Sequence, residues 1–294
     1  MEKNKLTIVI PTLQRFHFVN RLLKSIEHTD FLETCSQILV VSNLDCPQVK
    51  NICYEFLNLG VDYVYTGAIG VNLARNLGLK NADSNFIFFL DDDCILPAEF
   101  SFKKVFDAIF QFPEVTAFGG HYLLSDTYSI AGLIYHIKMQ SWLLRYANAE
   151  TDALRLLGGS LLVNKEKLKG LEFNPDNIFG GAETELILRL TEAHHSLKLL
   201  DCLNVIHDFN ITLFDFLKKT HKQAKFHHRM PQSAFSTFEQ NPPYSVIESS
   251  LKSNLKLKFS HELIYRLFWL LHKITVHLAK LKLATAIDKF RIFK

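Results

Sequence analysis

Three consecutive aspartates, Asp91 to Asp93, follow the apolar run "NFIFFL". A run this apolar is typical of a buried strand, so its charged end must either reach water or face a cation. Because side chains alternate along a strand, we expect Asp91 and Asp93 to point to one side and Asp92 to the other. Converging carboxylates suit Mg²⁺ or Mn²⁺, completed by water and phosphate oxygens. The alternative is an acidic turn in which one aspartate caps the helix expected near Pro97.

A second candidate is the glycine-containing segment "GAIGVNLARNLGLKNA", Gly67 to Ala82. It predicts a loop that leads into a helix, with Arg75 and Asn76 in the first turns. Helix N-termini and arginine both attract anions, so this loop is a candidate for facing a phosphate. Its spacing matches neither G-x-x-x-x-G-K-[ST] nor G-x-G-x-x-G. A solvated arginine on an amphipathic helix is the competing interpretation.

The elements that must position these residues alternate along the first hundred residues. Short apolar runs such as "LTIVI", "QILVVS" and "VDYVYT" are separated by amphipathic stretches of helical length. This rhythm predicts βαβ units and an α/β fold with a mostly parallel sheet and helices on both faces. Ligands of such sheets bind beyond the carboxyl ends of the strands. Pro11–Thr12, 42–45, 66–67 and the aspartates all fall at that edge.

The pattern changes after Pro97. We expect a helix over "AEFSFKKVFDAIFQF", a short strand in "VTAFGG", and an irregular, aromatic-rich region from His121 to about Leu157. A strand in "GGSLLV" and a helix that begins near Glu183 follow, and "NPPYS" at 241–245 interrupts any helix. The length of 294 residues fits one α/β core with an appendage.

Composition excludes several classes of protein. The formal net charge of +3 argues against a chain organised around nucleic acid. The five cysteines have no metal-binding spacing and predict reduced thiols in the cytoplasm. The apolar run near the N-terminus is too short for a signal peptide.

The C-terminal tail predicts a basic amphipathic helix. Residues 256–294 contain nine Lys or Arg and two acidic residues, and leucines recur at helical spacing from Leu263. Such a helix could lie on an anionic membrane surface with Trp269 as an anchor. Packing on the catalytic domain or on a second subunit is the alternative. Charged residues within the tail argue against a bilayer-spanning helix.

Together, several segments resemble the inverting family 2 glycosyltransferases with the GT-A fold. In the family's order they are "IVIPT" (8–12), "VVSNLD" (40–45), "GVNLARNLGLKNA" (70–82), "FLDDDC" (89–94), "GGSLLVNKEKL" (158–168), "FGGAETELILRL" (179–190) and "VIH" (205–207). The resemblance covers roughly residues 5–230. It implies a GT-A-type catalytic domain over 1–230, with a donor-binding half (1–120) and an acceptor and metal half (121–230). Residues 231–294 would form a helical extension.

The resemblance also implies which residues bind a nucleotide-sugar donor. Those expected on the donor side are Pro11, Thr12, Arg15, Asp45, Arg75, Asn76, Asp91 and Asp92. Ser42 stands where many members have an aspartate that contacts the base, so recognition of uracil does not follow automatically, although a UDP-sugar is the expected donor.

A divalent cation, Mn²⁺ or Mg²⁺, is expected on Asp93 and His207. The segment "GGAETEL" looks like the family's G-G-E-D-x-E-L, in which the fourth residue is the general base, here Glu183. Two departures are that Ala182 replaces the first acidic residue and that Glu183 is one methylene longer than the usual aspartate. Trp142, Gly159 and Ala182 are the residues expected near the acceptor.

The implied function is inverting transfer of a hexosyl or N-acetylhexosaminyl group from a nucleotide-diphosphate sugar to a hydroxyl of a polysaccharide or lipid-linked glycan. A nucleotidyltransferase is the first alternative, favoured if Arg15 and a lysine gripped a triphosphate. The second is a GT-A-like module without activity, which the Ala182 departure supports. A D-x-D-x-[TV] phosphatase fits poorly, because Ile95 stands in the place of Thr or Val.

Overall fold

The computed structural model describes residues 6–35, 37–148, 152–177, 182–227, 248–252 and 259–280. These residues form two compact units. The first contains the described residues of 6–125 and 146–208, and the second contains Asp126–Arg145 and the described residues from 209 onward.

The first unit is built on a seven-stranded sheet. Its strands are β1 (Leu6–Thr12), β2 (Gln37–Ser42), β3 (Val61–Tyr65), β4 (Phe86–Leu90), β6 (Ala117–Gly119), β8 (Ser160–Asn164) and β9 (Leu197–Leu199), in the order β3-β2-β1-β4-β8-β6-β9. Neighbouring pairs among β1 to β4 are parallel, and β8 runs antiparallel to β4 and β6. β1 is buried along its whole length, as expected for a strand covered on both faces. The predicted α/β class with a mostly parallel sheet is confirmed.

Helices connect these strands. They are α1 (Phe16–Glu27), α2 (Phe31–Thr34), α3 (Pro47–Glu55), α4 (Val71–Asn81), α5 (Phe102–Ile109) and α7 (Ala182–Glu192). α1 buries Val19, Leu22, Leu23 and Ile26, which share one face of a helix. α4 packs against β1 and β2, so its first turns lie near the carboxyl ends of those strands.

A second, three-stranded sheet joins distant parts of the first unit. It consists of β5 (Cys94–Ile95), β7 (Tyr122–Leu124) and β10 (Val205–His207), with β10 in the centre. β10 pairs antiparallel to β5 and parallel to β7, and His207 is opposite Cys94. The residue after the aspartates is thereby paired with a histidine more than a hundred positions later.

The second unit is helical. It contains α6 (Ile130–Arg145), α8 (Leu213–His227) and α9 (Phe259–Lys280), and α9 packs on α8 and α6. The predicted irregular region from His121 to Leu157 is wrong over α6. Residues 131–137 of this helix are all buried, so the sequence has no polar face there to reveal the helical period. β7 also lies in that region.

α6 groups with the later helices in the second unit. The predicted domain boundaries at 120 and 230 stay predictions. Gly180, Gly181, the break at 241–245 and residues 281–294 of the predicted tail lie outside the described residues. None of the helices that the structure describes is long and apolar enough to cross a bilayer.

Candidate active site

The three aspartates form a turn directly after β4. The strand ends at Leu90, and the backbone N–H of Cys94 donates to the carbonyl of Asp91 at 3.0 Å. The aspartates therefore lie in a turn and not in the strand for which the alternation was expected. Asp92 is the buried member, with 1% of its side chain exposed, whereas Asp91 and Asp93 are 29% and 15% exposed. The turn sends the two outer carboxylates toward different partners.

Asp92 is held by residues at and after the end of β1. The Thr12 hydroxyl donates to its Oδ2 at 2.5 Å, and Arg15 Nε donates to the same oxygen at 3.0 Å. Arg15 also contacts Oδ1 of Asp92 and donates from Nη1 to Oδ2 of Asp93 at 3.0 Å. Asp92 thus fixes the turn to β1, and Arg15 neutralises two adjacent acids.

Burial is the largest single influence on the pKa values of Asp92 and Arg15. It raises the pKa of Asp92 to about 7, although the Arg15 guanidinium and the Thr12 hydroxyl oppose that change. Burial by itself would lower the pKa of Arg15, but the Asp93 and Asp92 carboxylates outweigh it and raise that pKa above its ordinary value. Arg15 therefore remains a cation at any physiological pH.

Asp93 lies beside His207, as the pairing of β5 with β10 requires. His207 Nε2 is 3.4 Å from Oδ1 of Asp93, and its Nδ1 is 3.0 Å from the carbonyl oxygen of Asp208. A carbonyl oxygen only accepts, so Nδ1 carries a hydrogen, and Nε2 is the ring atom that faces Asp93. In the neutral ring Nε2 has a lone pair, and a nitrogen and a carboxylate oxygen at this distance fit adjacent ligands of one cation.

The described residues contain no group of three or more His, Cys, Asp or Glu side chains arranged to hold a metal ion. A cation at this position would therefore take two ligands from the described part of the protein, Asp93 and His207. Its remaining positions would be open to water and to oxygen atoms of a ligand.

Arg75 connects the aspartate turn to α7. Its side chain is only 2% exposed, and Nη2 donates to Oδ1 of Asp91 at 3.0 Å. Nη1 lies 3.7 Å from Oε2 of Glu183, and the guanidinium packs on the Phe173 ring with Cζ 5.5 Å from its centroid. A solvated surface arginine, the competing interpretation of the sequence, is excluded by this burial.

Glu183 lies in the first turn of α7, with 17% of its side chain exposed. Burial raises the pKa of Glu183 above its ordinary value, and the Arg75 guanidinium opposes this rise. The result is a carboxylate that binds a proton more readily than one in water. That property suits a group that must accept a proton.

Gly158 and Gly159, which directly precede β8, lie against the charged side chains of this site. In the pairing of β4 with β8, Leu90 is opposite Ser160, which brings Gly159 beside Asp91. A Cβ atom on Gly159 would lie 2.8 Å from Oδ2 of Asp91, and one on Gly158 would lie 2.6 Å from Nη2 of Arg75. Only a residue without a side chain lets the backbone approach the charged cluster this closely.

Sequence reasoning missed two residues of this site, Gly158 and Tyr122. The Tyr122 hydroxyl accepts the Gly159 N–H at 2.9 Å, and its ring centroid is 4.6 Å from that of His207. Burial and then the Asp91 carboxylate raise the pKa of Tyr122 well above its ordinary value, so the hydroxyl keeps its proton. No local pattern marks Tyr122, because its place depends on the pairing of β7 with β10.

The other predicted site residues lie apart from these contacts. Pro11 is a buried residue of β1, and Asp45 is exposed after β2, with Oδ1 3.3 Å from the Tyr63 hydroxyl. Asn76 uses its amide to bond both the N–H and the carbonyl of Phe173, so its donor-binding role stays a prediction. Ala182 is the first residue of α7, and Trp142 belongs to α6 of the second unit.

Comparison with known proteins identifies the family. Residues 7–164, more than half of the chain, match the family described as glycosyl transferase family 2. A related sequence is the poly(ribitol-phosphate) beta-N-acetylglucosaminyltransferase TarS of Staphylococcus aureus, which is 30% identical over 92 residues. That match covers 30% of this chain and 16% of TarS, so the shared region is a small part of the relative.

Solved structures share the fold at low sequence identity. The structure of S. aureus TarS 1–349 in complex with UDP has a TM-score of 0.54 at 14% identity, covering 95% of this chain and 87% of that one. The mannosyltransferase PcManGT from Pyrobaculum calidifontis, in complex with GDP-Man and Mn²⁺, has a TM-score of 0.56 at 12% identity and covers 98% and 88%. The predicted GT-A-type fold and family are confirmed, and the chain belongs to glycosyl transferase family 2.

Proposed function

We propose that this protein transfers a sugar, with inversion, from a nucleotide-diphosphate sugar to an acceptor hydroxyl. The observation that carries the proposal is the pair of carboxylates, Asp91 and Glu183, that converge on the buried Arg75 at the carboxyl edge of the sheet. Asp91 belongs to the turn proposed to hold the donor, and Glu183 is the proposed general base because its segment "GGAETEL" resembles the family's G-G-E-D-x-E-L. Arg75 thus contacts both the proposed donor-side carboxylate, Asp91, and the proposed proton acceptor, Glu183.

In the proposed reaction, the acceptor oxygen attacks the anomeric carbon from the face opposite the diphosphate. The bond between that carbon and the diphosphate oxygen breaks, and the acceptor proton passes to a carboxylate oxygen of Glu183. Burial favours proton uptake by this group, while the Arg75 guanidinium favours its ionised form before the reaction. The extra methylene of glutamate extends the reach of the carboxylate from α7.

Asp93 and His207 are the residues proposed to hold Mn²⁺ or Mg²⁺, because Oδ1 of Asp93 and Nε2 of His207 face each other 3.4 Å apart. A divalent cation bound there would add positive charge close to the departing diphosphate. Arg15, which bonds to Asp92 and Asp93, fixes the orientation of the turn that carries this pair. Its engagement with the two acids argues against the grip on a triphosphate that would favour a nucleotidyltransferase.

The donor is proposed to be a UDP-sugar, and an N-acetylhexosamine is the first sugar to test. Support comes from TarS, whose name specifies N-acetylglucosaminyl transfer to poly(ribitol-phosphate) and whose fold has been solved with UDP. GDP-mannose is the second choice, because it is the ligand of the similar mannosyltransferase. The proposed acceptor is a hydroxyl of a polysaccharide or lipid-linked glycan, with Gly159 and Ala182 as candidate contacts in the first unit. The expected role of Trp142, in the second unit, stays a prediction.

The proposed compartment is the cytoplasm. All five cysteines are free thiols, and three of them, Cys46, Cys53 and Cys94, are buried. Free buried thiols persist most readily in a reducing compartment. This agrees with a donor that is a nucleotide-sugar of the cytoplasm.

A donor panel tests the proposal. Melting temperature and release of the nucleotide, which is UDP, GDP, dTDP or CMP, are measured with the four corresponding donor sugars, each with and without Mn²⁺. We expect one donor to raise the melting temperature, because a ligand that binds only the native state stabilises it. The same donor should release its nucleoside diphosphate in the presence of Mn²⁺. Binding without release under all conditions would favour the inactive-module alternative, and no response to any donor would contradict the proposed function.

A further inference from the structure

α9 packs into the second unit through one face. Tyr265 and Phe268 are 3% and 8% exposed, and the Phe268 ring makes an edge contact with Phe216 of α8 at a centroid distance of 5.3 Å. His272 stacks on Trp269 and lies 3.3 Å from the Thr220 hydroxyl. This inner face fixes the rotation of the helix about its axis.

The outer face of α9 exposes large apolar side chains. Leu267 and Leu270 are each 54% exposed, Ile274 is 47% exposed and Leu278 is 41% exposed. Their spacing of three, four and four residues places them along one stripe of the helix. We call these four residues the apolar stripe.

Basic side chains border the apolar stripe on one side. Arg266 and Lys273 are exposed, and they lie four residues before and three residues after Leu270. These intervals put both charges on the same helical face as Leu270, next to the stripe rather than opposite to it. The sequence from 256 to 294 is also basic, with nine Lys or Arg and two acidic residues.

A shallow cavity opens on the basic side of the helix. It has a volume of about 300 Å³, and its lining residues are Trp269, His272, Lys273, Val276 and His277. An ammonium group, imidazoles and an indole therefore surround a space beside the apolar stripe. Amines and imidazoles can donate to phosphate oxygens, and indole rings favour the boundary between apolar and aqueous phases.

We propose that the outer face of α9 binds the surface of an anionic phospholipid bilayer. The apolar stripe would enter the boundary between headgroups and acyl chains, while Arg266 and Lys273 contact lipid phosphates. The cavity at Trp269 would receive a headgroup. The helix would lie in the plane of the surface, which agrees with the lack of a bilayer-spanning helix among the described residues.

Charge complementarity selects this occupant over a second copy of the chain. In a two-fold dimer that packs the outer faces of two α9 helices together, Arg266 and Lys273 of one copy would either face the same basic side chains of the other copy or lie outside the contact. An anionic lipid surface instead attracts every basic side chain at once, by about fivefold in partition coefficient for each Lys or Arg. The proposal does not depend on the donor or on the reaction.

Vesicle sedimentation of the full chain tests the inference. We compare vesicles of pure phosphatidylcholine with vesicles that also contain about a third of phosphatidylserine, at low and at high salt. The variants are Leu270→Glu/Ile274→Glu in the stripe and Lys273→Glu at its border. The matched control is Leu32→Glu/Leu57→Glu, two leucines of the first unit that are 60% and 61% exposed.

We expect binding only to the anionic vesicles and its loss at high salt. The stripe variant should lower the partition coefficient by about 100-fold. Lys273→Glu should lower it at least about fivefold, and the control variant should leave it unchanged. Circular dichroism checks that the variants are folded, and release of nucleoside diphosphate in solution should not change with the stripe variant.

Three results would overturn the inference. They are equal binding to both kinds of vesicle, equal loss of binding in the stripe and control variants, and a wild-type dimer that the stripe variant converts to a monomer without any vesicle binding. The last result would identify the face as a contact between copies of the chain. Failure of vesicle binding with normal sugar transfer would leave the proposed function intact.

Discussion

Replacing Arg75 by methionine removes the cation shared by two carboxylates. In the wild type, Nη1 is 3.7 Å from Glu183 and Nη2 is 3.0 Å from Asp91, and Arg75 itself is 2% exposed. Methionine keeps much of the apolar volume against Phe173 but leaves both acids without their partner. Removing one partner of a buried ion pair costs about 3–5 kcal/mol, because the other charge stays buried.

The distance sets the size of the pairwise interaction. Two unit charges separated by the observed 3.7 Å attract by about 4 kcal/mol at an effective dielectric constant of about 20. Relaxation of the site and its partial exposure reduce this value, so we expect a coupling energy of about 1–3 kcal/mol between Arg75 and Glu183. The double variant Arg75→Met/Glu183→Gln should therefore be more stable than the sum of the single changes predicts.

Urea unfolding of the wild type, the two single variants and the double variant, without donor, measures this coupling. A coupling below about 0.5 kcal/mol would show that the two side chains act independently, and would refute the role given to Arg75. The matched control is the cycle of Glu185 and Arg189, an ion pair of the same helix at 2.7 Å that is more exposed. That pair should couple by only about 0.3–0.5 kcal/mol.

The same variants have a predictable pH dependence. The pKa of Glu183 is higher in the folded state than in the unfolded state because of burial. The folded state therefore binds the proton more tightly, and stability falls as pH rises from the ordinary carboxyl pKa to the raised one. Glu183→Gln should make this fall smaller and leave the part that comes from Asp92, whose pKa burial also raises, whereas Arg75→Met should extend the Glu183 part to higher pH. Urea unfolding at several pH values checks both.

Three further predictions concern the aspartate turn and its surroundings. Asp92→Ala should lower the free energy of unfolding by about 1–3 kcal/mol, since it leaves the buried Thr12 hydroxyl without its acceptor, whereas Asp83→Ala at an exposed position should change it by no more than about 0.5 kcal/mol; equal effects in urea unfolding would contradict the anchoring role. His207→Ala should reduce the Mn²⁺-dependent part of the rise in melting temperature with donor, and an undiminished rise would remove His207 from the cation site. Gly159→Ala should lower the free energy of unfolding by about 1–3 kcal/mol through crowding, since its Cβ would lie 2.5 Å from the Tyr122 hydroxyl oxygen. The double variant Gly159→Ala/Tyr122→Phe should recover part of that free energy. No recovery would contradict the contact.

The sheet and its carboxyl edge were predictable because local patterns encode them. Buried strands such as β1 and β4 are continuous apolar runs, and the helices between them carry a one-sided apolar pattern, as in α1. Parallel pairing then places the ends of β1 and β4 side by side. That reasoning predicts Thr12 and the aspartates at one edge, and the family resemblance adds Arg15.

The contacts within the site were less predictable because they depend on strand pairing over long distances. Asp92 is the buried aspartate because the chain turns after Leu90, and a turn does not follow the alternation of a strand. Tyr122 and Gly158 enter the site through the registers of β7 with β10 and of β4 with β8. α6 was missed because burial around almost its whole circumference hides the helical period.

The central claim is that Glu183 accepts the proton of the acceptor. The most direct test is the rate of sugar transfer by Glu183→Gln, with the donor found in the panel and with Mn²⁺, compared with Glu185→Gln two residues along α7. We expect Glu183→Gln to lower the rate by about 10² to 10⁴, while the rise in melting temperature with donor stays within error of the wild type. The control should keep its rate. A Glu183→Gln rate within tenfold of the control would contradict the assignment of Glu183 as the base.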